Sequence, residues 1–535
     1  MYIFRFVALL AGFFLSVCSN AEQMNDPAEV AIGERLFLET RFAQAYYANP
    51  GKADTALNYS LTMRDPLPGP FAGQTINCRS CHMVDEHRSS PNAGIRSYAD
   101  FAHTSPIPDR QDKHYFTARN SMALVNITVP GENALFHFDG EFNSMEDLVR
   151  ATLTGRNYGW LITEKKLAIK HIANIIRSDD GNDELAKEFG GSYHQVFKST
   201  DMKIPDELIL PKVFRLNVKA ASDQQIFDAV AKLISIYVNS LSYERDQKGH
   251  YLASPYDRFL ILNNLPRKPL TGESNIDYSH RLLKAVNNIA KPKFVTKQHG
   301  EFKNHKQSFR FGQKELEGMK LFFTKSDRLN AGGNCIACHP APHFSDYKFH
   351  NIGMTQFNYE RMHGTGTFNK LFIPELNERN KKFDQYLPKT ERHPDALGPF
   401  NQLASEDKPG ITDLGMWNVF ANRDIPGPQA KLKIILCDQA KKQGIKQCRD
   451  NDLLPLSLAS FKTPVLRNLG HSEPYMHNGE FTNLKDAVAF YMTTPILAQQ
   501  GLIRNADPAL QHVKIALADF NQLVAFLESL NEDYE

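Results

Sequence analysis

Two stretches of this 535-residue chain have residue types at a spacing that does chemistry: Asn77-Cys78-Arg79-Ser80-Cys81-His82 and Asn334-Cys335-Ile336-Ala337-Cys338-His339. Cys-x-x-Cys-His is the attachment signature of a c-type haem. Two thiols three positions apart sit on one side of a helical turn and can form thioethers with the two vinyl groups of one porphyrin. The residue that follows then turns its imidazole to the iron as the proximal ligand. A zinc site would gather four ligands, whereas each motif offers three contiguous ones. A thioredoxin-like redox pair needs no histidine, still less twice. The expectation is two covalently bound haems, one on Cys78, Cys81 and His82, the other on Cys335, Cys338 and His339.

The other cysteines bear on compartment. Cys437 and Cys448 enclose ten residues of a polar stretch rich in Lys and Gln, which in an exported chain reads as a local disulfide. Residues 1–21 carry Arg5, an apolar run from Phe6 to Cys18, and the small-residue ending Ser19-Asn20-Ala21. That is the layout of a secretory signal peptide, too short to span a bilayer. The mature chain would start near Glu22 in the periplasm. A single N-terminal anchor is the alternative, and a lipoprotein site ending at Cys18 fits poorly with Val17 before it. With 62 Lys and Arg against 60 Asp and Glu, the net charge of +2 supplies no field for nucleic acid. At 42% hydrophobic and 23% charged residues, the composition excludes disorder, collagen and coiled coil.

The elements that must position the motifs are helical. Ile226, Val230, Leu233, Ile234, Tyr237, Val238 and Leu241 recur as one helix face. Leu517, Phe520, Leu523, Val524, Leu527 and Leu530 form a similar stripe. Ala168, Ile169, Ile172, Ala173 and Ile176 form a third, closed by the turn at Gly181. Alternating strand patterns are scarce. The fold expected is mainly α, with two cytochrome c-like haem domains at 22–180 and 181–535. Polar stretches near 262–312 and 355–455 read as long loop insertions, with a smaller one near 43–75. Flanks recur loosely around both motifs: Leu36-Phe37 and Leu321-Phe322-Phe323 before them, Phe138-Asp-Gly140 and His477-Asn-Gly479 after them. A duplicated cytochrome c unit would have this form.

In these segments the sequence resembles the bacterial di-haem cytochrome c peroxidase family, which includes the protein-modifying enzyme MauG. The first half carries Ile32-Gly-Glu-Arg-Leu-Phe37, Arg119-Asn120-Ser-Met-Ala-Leu-Val-Asn126, Leu135-Phe-His-Phe-Asp-Gly-Glu-Phe142 and Ser144-Met-Glu-Asp-Leu148. The second carries Phe344-Ser-Asp346, Phe349-His-Asn-Ile-Gly353, Phe461-Lys-Thr-Pro-Val-Leu-Arg-Asn-Leu469, Pro474-Tyr-Met-His-Asn-Gly479 and Thr482-Asn-Leu-Lys-Asp-Ala-Val488. The resemblance implies an N-terminal haem where hydrogen peroxide is reduced, a C-terminal haem that takes in electrons, and a calcium ion between them. Asn120 would give the calcium a side-chain oxygen, with the carbonyls of Ser472 and Pro474; oxygen donors suit a hard cation.

The departures from the family pattern carry as much as the match. The family's distal ligand to the second haem lies 17 residues after the Pro of the Pro-Tyr turn, which is Tyr491 here. Ordinary members have Met and MauG has Tyr, and a phenolate stabilises ferric iron where a thioether favours ferrous. Met492 and Met476 keep a thioether open. The family's relay Trp before Asp-Gly is Phe138, with Tyr158 and Trp160 as substitutes further on. The peroxidatic Gln and Glu have become Leu148 and Tyr158, which leaves Glu146, Arg156 and His350 as candidate acid/base groups. His87, His103 and His114 are candidates to cap the first iron, His114 first among them.

The leading expectation is an exported peroxidase fed by a small donor, a cytochrome c or a cupredoxin, with His82, Glu146 and His350 as its catalytic set. The resemblance leaves room for a homodimer. Two alternatives stand beside it. One is a MauG-like oxidase acting on a partner protein, and the other is an electron-transfer cytochrome with no enzymatic activity.

Overall fold

The computed structural model describes residues 26–48, 77–78, 81–82, 110, 112, 117–128, 135–200, 203–303, 305–327 and 331–533. The signal segment and His87, His103 and His114 lie outside the described residues. Within them the fold is mainly helical. Its one two-stranded sheet pairs Phe349–His350 antiparallel with Phe461–Lys462, Phe349 opposite Lys462. No helix among the described residues is long and apolar enough to cross a membrane.

A repeated helix crossing organises the chain. Helix Ala28–Phe37 packs on helix Asp223–Ser240, and helix Gln313–Phe323 packs on helix Phe520–Glu528. Each crossing turns on a glycine. A Cβ on Gly33 would lie 2.3 Å from the Leu233 carbonyl oxygen and 2.9 Å from Tyr237 Cβ. A Cβ on Gly318 would lie 1.8 Å from the Gln522 carbonyl oxygen and 2.9 Å from Phe526 Cβ. In both, an aromatic four residues on from the glycine meets the aromatic on the partner helix: Phe37 on Tyr237 at 5.1 Å, Phe322 on Phe526 at 5.2 Å. Backbone contact this close admits no side chain, which is why the pattern Gly-x-x-Leu-Phe recurs.

The segments after the motifs repeat too. Phe136 bridges Phe142 and Tyr475 bridges Phe481, each pair closed by the first residue's N–H donating to the second's carbonyl, at 2.8 and 2.7 Å. Inside these tight loops His137 and Met476 both have positive φ (62° and 73°), as do Gly140 and Gly479. Each loop then feeds a helix capped by a short polar side chain. Ser144 Oγ accepts from the Asp147 N–H at 3.1 Å, and Asn483 Oδ1 accepts from the Asp486 N–H at 3.0 Å. Such caps satisfy amides that a helix start leaves open. The helices are Met145–Leu153 and Leu484–Gln499.

The helical stripes read from sequence fall on helices Lys165–Ser178, Asp223–Ser240 and Phe520–Glu528. Helix Asp223–Ser240 starts at a capping box in which Ser222 and Gln225 bond each other's backbone amides. Leu517 departs from its stripe: it is 79% exposed, in the 3-10 turn that precedes the last helix.

Two boundaries differ from expectation. The first apolar cluster runs from Ala28 to Tyr251, so helix Asp223–Ser240 belongs to it and a division at 180/181 cuts through it. Nor are 262–312 and 355–455 long loops. Helix Asn275–Asn287 joins the second cluster through Tyr278, Leu282 and Val286. Helices Met354–His363 and Gln429–Lys442 gather with shorter turns around Trp417 in a third cluster. Arg379, fully buried, holds this cluster by donating to the carbonyls of Trp417 and of Phe420 (2.7 Å). Cys437 and Cys448 are joined as a disulfide on its outer side, with Cα atoms 5.3 Å apart. The outward faces of these elements are polar, so composition alone hid them.

Candidate functional site

Both Cys-x-x-Cys-His motifs are tight turns. The His82 N–H donates to the Cys78 carbonyl at 2.9 Å, and the His339 N–H to the Cys335 carbonyl at 2.7 Å. Each imidazole is then oriented from its Nδ1 side, His82 by the Met122 carbonyl at 3.0 Å and His339 by the Phe344 carbonyl at 2.9 Å. An Nδ1–H held by a carbonyl leaves Nε2 as a lone-pair donor, the arrangement a metal-ligating histidine requires. Burial pushes both imidazoles down to about 4, so both are neutral at pH 7. Phe344 reaches its position with a positive φ of 56°. Burial likewise pushes the thiols of Cys78 and Cys81 up to about 11 and 12. The donor sets thus fit a c-type haem at each motif.

Cys335, Cys338 and His339 open on a large cavity whose wall includes Met122 and Phe138 from the first half and Tyr491 from helix Leu484–Gln499. Its open space is about 1900 Å³, counting the solvent at its mouth. Tyr491 faces it, its phenol pushed up by burial and then by the Cys338 and Cys335 thiols, against the pull of His350. Met476 also lines this cavity, whereas Met492 packs in the second apolar cluster. The repeat sets a register: counted from the caps Ser144 and Asn483, the position of Tyr491 in the second half is Thr152 in the first. Thr152 offers neither a phenol nor a thioether.

The remaining candidates are placed as follows. His350 stands beside Cys338 in the second half, not at the first motif where a peroxidatic group was expected. Its Nε2 meets Asp346 at 3.0 Å and its Nδ1 meets Asp507 at 2.6 Å. Burial lowers the imidazole, but the Cys338 thiol and the two carboxylates outweigh it and hold His350 well above its ordinary value. Asp507 lies 157 positions away in sequence, so this clamp was invisible there. Glu146 sits on helix Met145–Leu153, 40% exposed and paired with Arg150 at 3.0 Å; it does not line the cavity. Arg156 pairs with Asp112 at 3.0 Å.

Asn120 joins the two halves. Its N–H donates to the His477 carbonyl at 2.7 Å and its Nδ2 to the Pro474 carbonyl at 2.6 Å. Its Oδ1 is buried without a hydrogen-bond partner among the described residues, and Ser472 and Pro474 share the cavity wall with it. An orphaned amide oxygen beside a carbonyl is the donor chemistry of a hard-cation site. Next to it, Arg119 bonds Asp139 at 2.5 Å, Asp413 at 2.6 and 2.9 Å and Asn401 at 3.1 Å. Phe138 lies in the wall between the motifs with Met122 and Phe461. Trp160 is fully buried with its indole N–H on the Phe42 carbonyl, while the Tyr158 hydroxyl lies 3.1 Å from Cys78 Sγ.

No protein-family model matches the chain. Among characterised proteins it is 35% identical over 218 residues to the cytochrome-c peroxidase IdrP1 of Pseudomonas sp. (strain SCT), covering 41% of this chain and 40% of that protein. It is 34% identical over 94 residues to the methylamine utilization protein MauG of Paracoccus denitrificans (strain Pd 1222), covering 15% and 24%. The chain thus matches about two-fifths or less of the length of these relatives. Among solved structures, the diheme peroxidase BthA from Burkholderia thailandensis superposes over 95% of this chain and 86% of its own, with 15% identity and a TM-score of 0.42. The sequence relatives support the family read from the motifs, that of the di-haem peroxidases and MauG.

Proposed function

We propose that this protein is a di-haem c-type peroxidase that reduces hydrogen peroxide at the haem of Cys78, Cys81 and His82. Electrons enter through the haem of Cys335, Cys338 and His339 from a small donor protein. One observation carries the assignment of roles: the repeat gives the second haem Tyr491 on the helix that faces it and the first haem Thr152. Tyr491 would hold the second haem's iron, while helix Met145–Leu153 would offer the first none from that position. When bound, the first haem supplies the iron at which peroxide is cleaved. The chain's part is to keep both proximal imidazoles neutral by burial and to orient them through the Met122 and Phe344 carbonyls. It also keeps the phenol of Tyr491 at the second site. Asn120, Ser472 and Pro474 would take calcium and so tie the halves together. Export to the periplasm completes the reading, and the Cys437–Cys448 disulfide accords with it.

MauG-like oxidation of a partner protein is the second reading, and Tyr491 favours it. Stopped-flow absorbance of the fully oxidised, haem-loaded protein mixed with stoichiometric peroxide separates the readings. Turnover only after one-electron reduction marks a gated peroxidase. A long-lived oxidised species without prior reduction marks the MauG-like reading. Silence in both states leaves an electron carrier and refutes peroxide chemistry.

A further inference from the structure

Among the described residues, nothing answers the buried ammonium of Lys462. It lies on strand Phe461–Lys462, where its N–H donates to the Phe138 carbonyl at 2.7 Å. The residue is 5% exposed, and its Nζ has no hydrogen-bond acceptor among the described residues. Its neighbours are the ring faces of Phe136 at 5.3 Å and Tyr347 at 5.7 Å. Ring faces attract an ammonium weakly, by less than desolvating it costs. Burial alone draws the amine down to about 7. A methionine would fill the same space without that penalty, so the charge calls for an anion that the described side chains do not supply.

The cavity says which anion. Lys462 lines the same wall as Cys335, Cys338 and His339, whereas Cys78, Cys81 and His82 are not part of it. A porphyrin tethered through its vinyl groups presents its two propionates at the opposite edge. We infer that the Lys462 ammonium is the counter-ion of a propionate on the haem of Cys335 and Cys338, positioning that haem and raising its reduction potential. This rests on the haem reading above. A fixed positive charge favours the ferrous state, whose net charge is one unit lower.

The test is a spectroelectrochemical titration of haem-loaded Lys462→Met and Lys462→Arg beside the wild type, with covalent haem counted separately by pyridine haemochrome. Lys462→Met is expected to lower the ferrous-to-ferric ratio of the second haem about tenfold at fixed potential, a fall of about 59 mV for one electron. Lys462→Arg should stay within about twofold of wild type, and the first haem should not move. An unmoved second haem, or a larger shift at the first, overturns the inference. A wild type without two covalent haems refutes the cofactor reading instead. If Lys462→Met does not fold, a crystal structure of the wild-type holoprotein decides. A propionate oxygen within about 3.2 Å of Nζ is expected, and none within about 4 Å of it is the overturning result.

Discussion

Replacing Gly318 by alanine tests whether the second helix crossing is as tight as it looks. The added Cβ would start 1.8 Å from the Gln522 carbonyl oxygen, and real Cβ atoms stay beyond 3.0 Å. Helices Gln313–Phe323 and Phe520–Glu528 would therefore part by about 1.2 Å. A gap of about 1 Å forfeits up to half the dispersion attraction across it, here among Phe322, Phe323, Phe344 and Phe526. Overpacking of this kind costs about 1–3 kcal/mol and sometimes more. Alanine returns about 1 kcal/mol through helix propensity. A net loss of up to about 2 kcal/mol is expected, lowering the Tm of that half by up to roughly 4–8 °C. The assay is thermal unfolding followed by far-UV circular dichroism. Gly410→Ala, where the new Cβ meets nothing within 4 Å, is the control. A Gly318→Ala protein that melts with the control would refute the close-crossing argument. The same would then be doubted for Gly33.

Three further outcomes are expected. Tyr491→Met should raise the second haem's ferrous-to-ferric ratio more than tenfold at fixed potential, since a thioether favours ferrous iron; redox titration checks it. His350→Gln leaves Asp346 and Asp507 buried together and should cost about 3–5 kcal/mol near neutral pH. Burial raises those carboxyls, but His350 outweighs it and holds both below the usual range. Their stabilisation is therefore full above about pH 4 and lost as pH falls through the lowered values. The raised His350 pKa adds the opposite limb, with stability full below about pH 6.5 and lost as pH rises through the folded value. The wild-type advantage in urea melts should therefore peak between those limits and shrink outside them. Replacing Cys437 and Cys448 together by serine should cost about 2–3 kcal/mol for a loop this short, without changing the haem spectra.

What the sequence revealed and what it withheld divide along physical lines. The haem motifs, the three long stripes and the capped helix after each Asx-Gly turn are local patterns. Few competing structures satisfy them, and the stripes stand where expected apart from Leu517. The helices around Trp417 were missed because their polar outward faces read as loop and their partners are distant, as Arg379 and the Trp417 carbonyl illustrate. His350 was a candidate acid/base group for the first motif, and its place beside Cys338 was illegible for a related reason. Its motif is local, but the clamp that defines it includes Asp507 from the far end of the chain. Lys462 looked like any basic residue in a strand, because an unmet charge becomes visible only once its surroundings are built. The repeat register, by contrast, is written in the two Asx-Gly turns, and counting onward from them pairs Tyr491 with Thr152.

The bonds of Arg119 and Asn120 also set an order of events in synthesis. The first apolar cluster is complete once Tyr251 has emerged, and domains tend to fold in the order they are made. Yet Arg119 waits for Asp413, 294 positions later, and Asn120 for Pro474, 354 positions later. The first half therefore matures with its inner face uncovered, and the wall between the two motifs closes only when the last sixth of the chain arrives. A haem taken up at the first motif would arrive before that wall closes, and closing it is the last step of assembly.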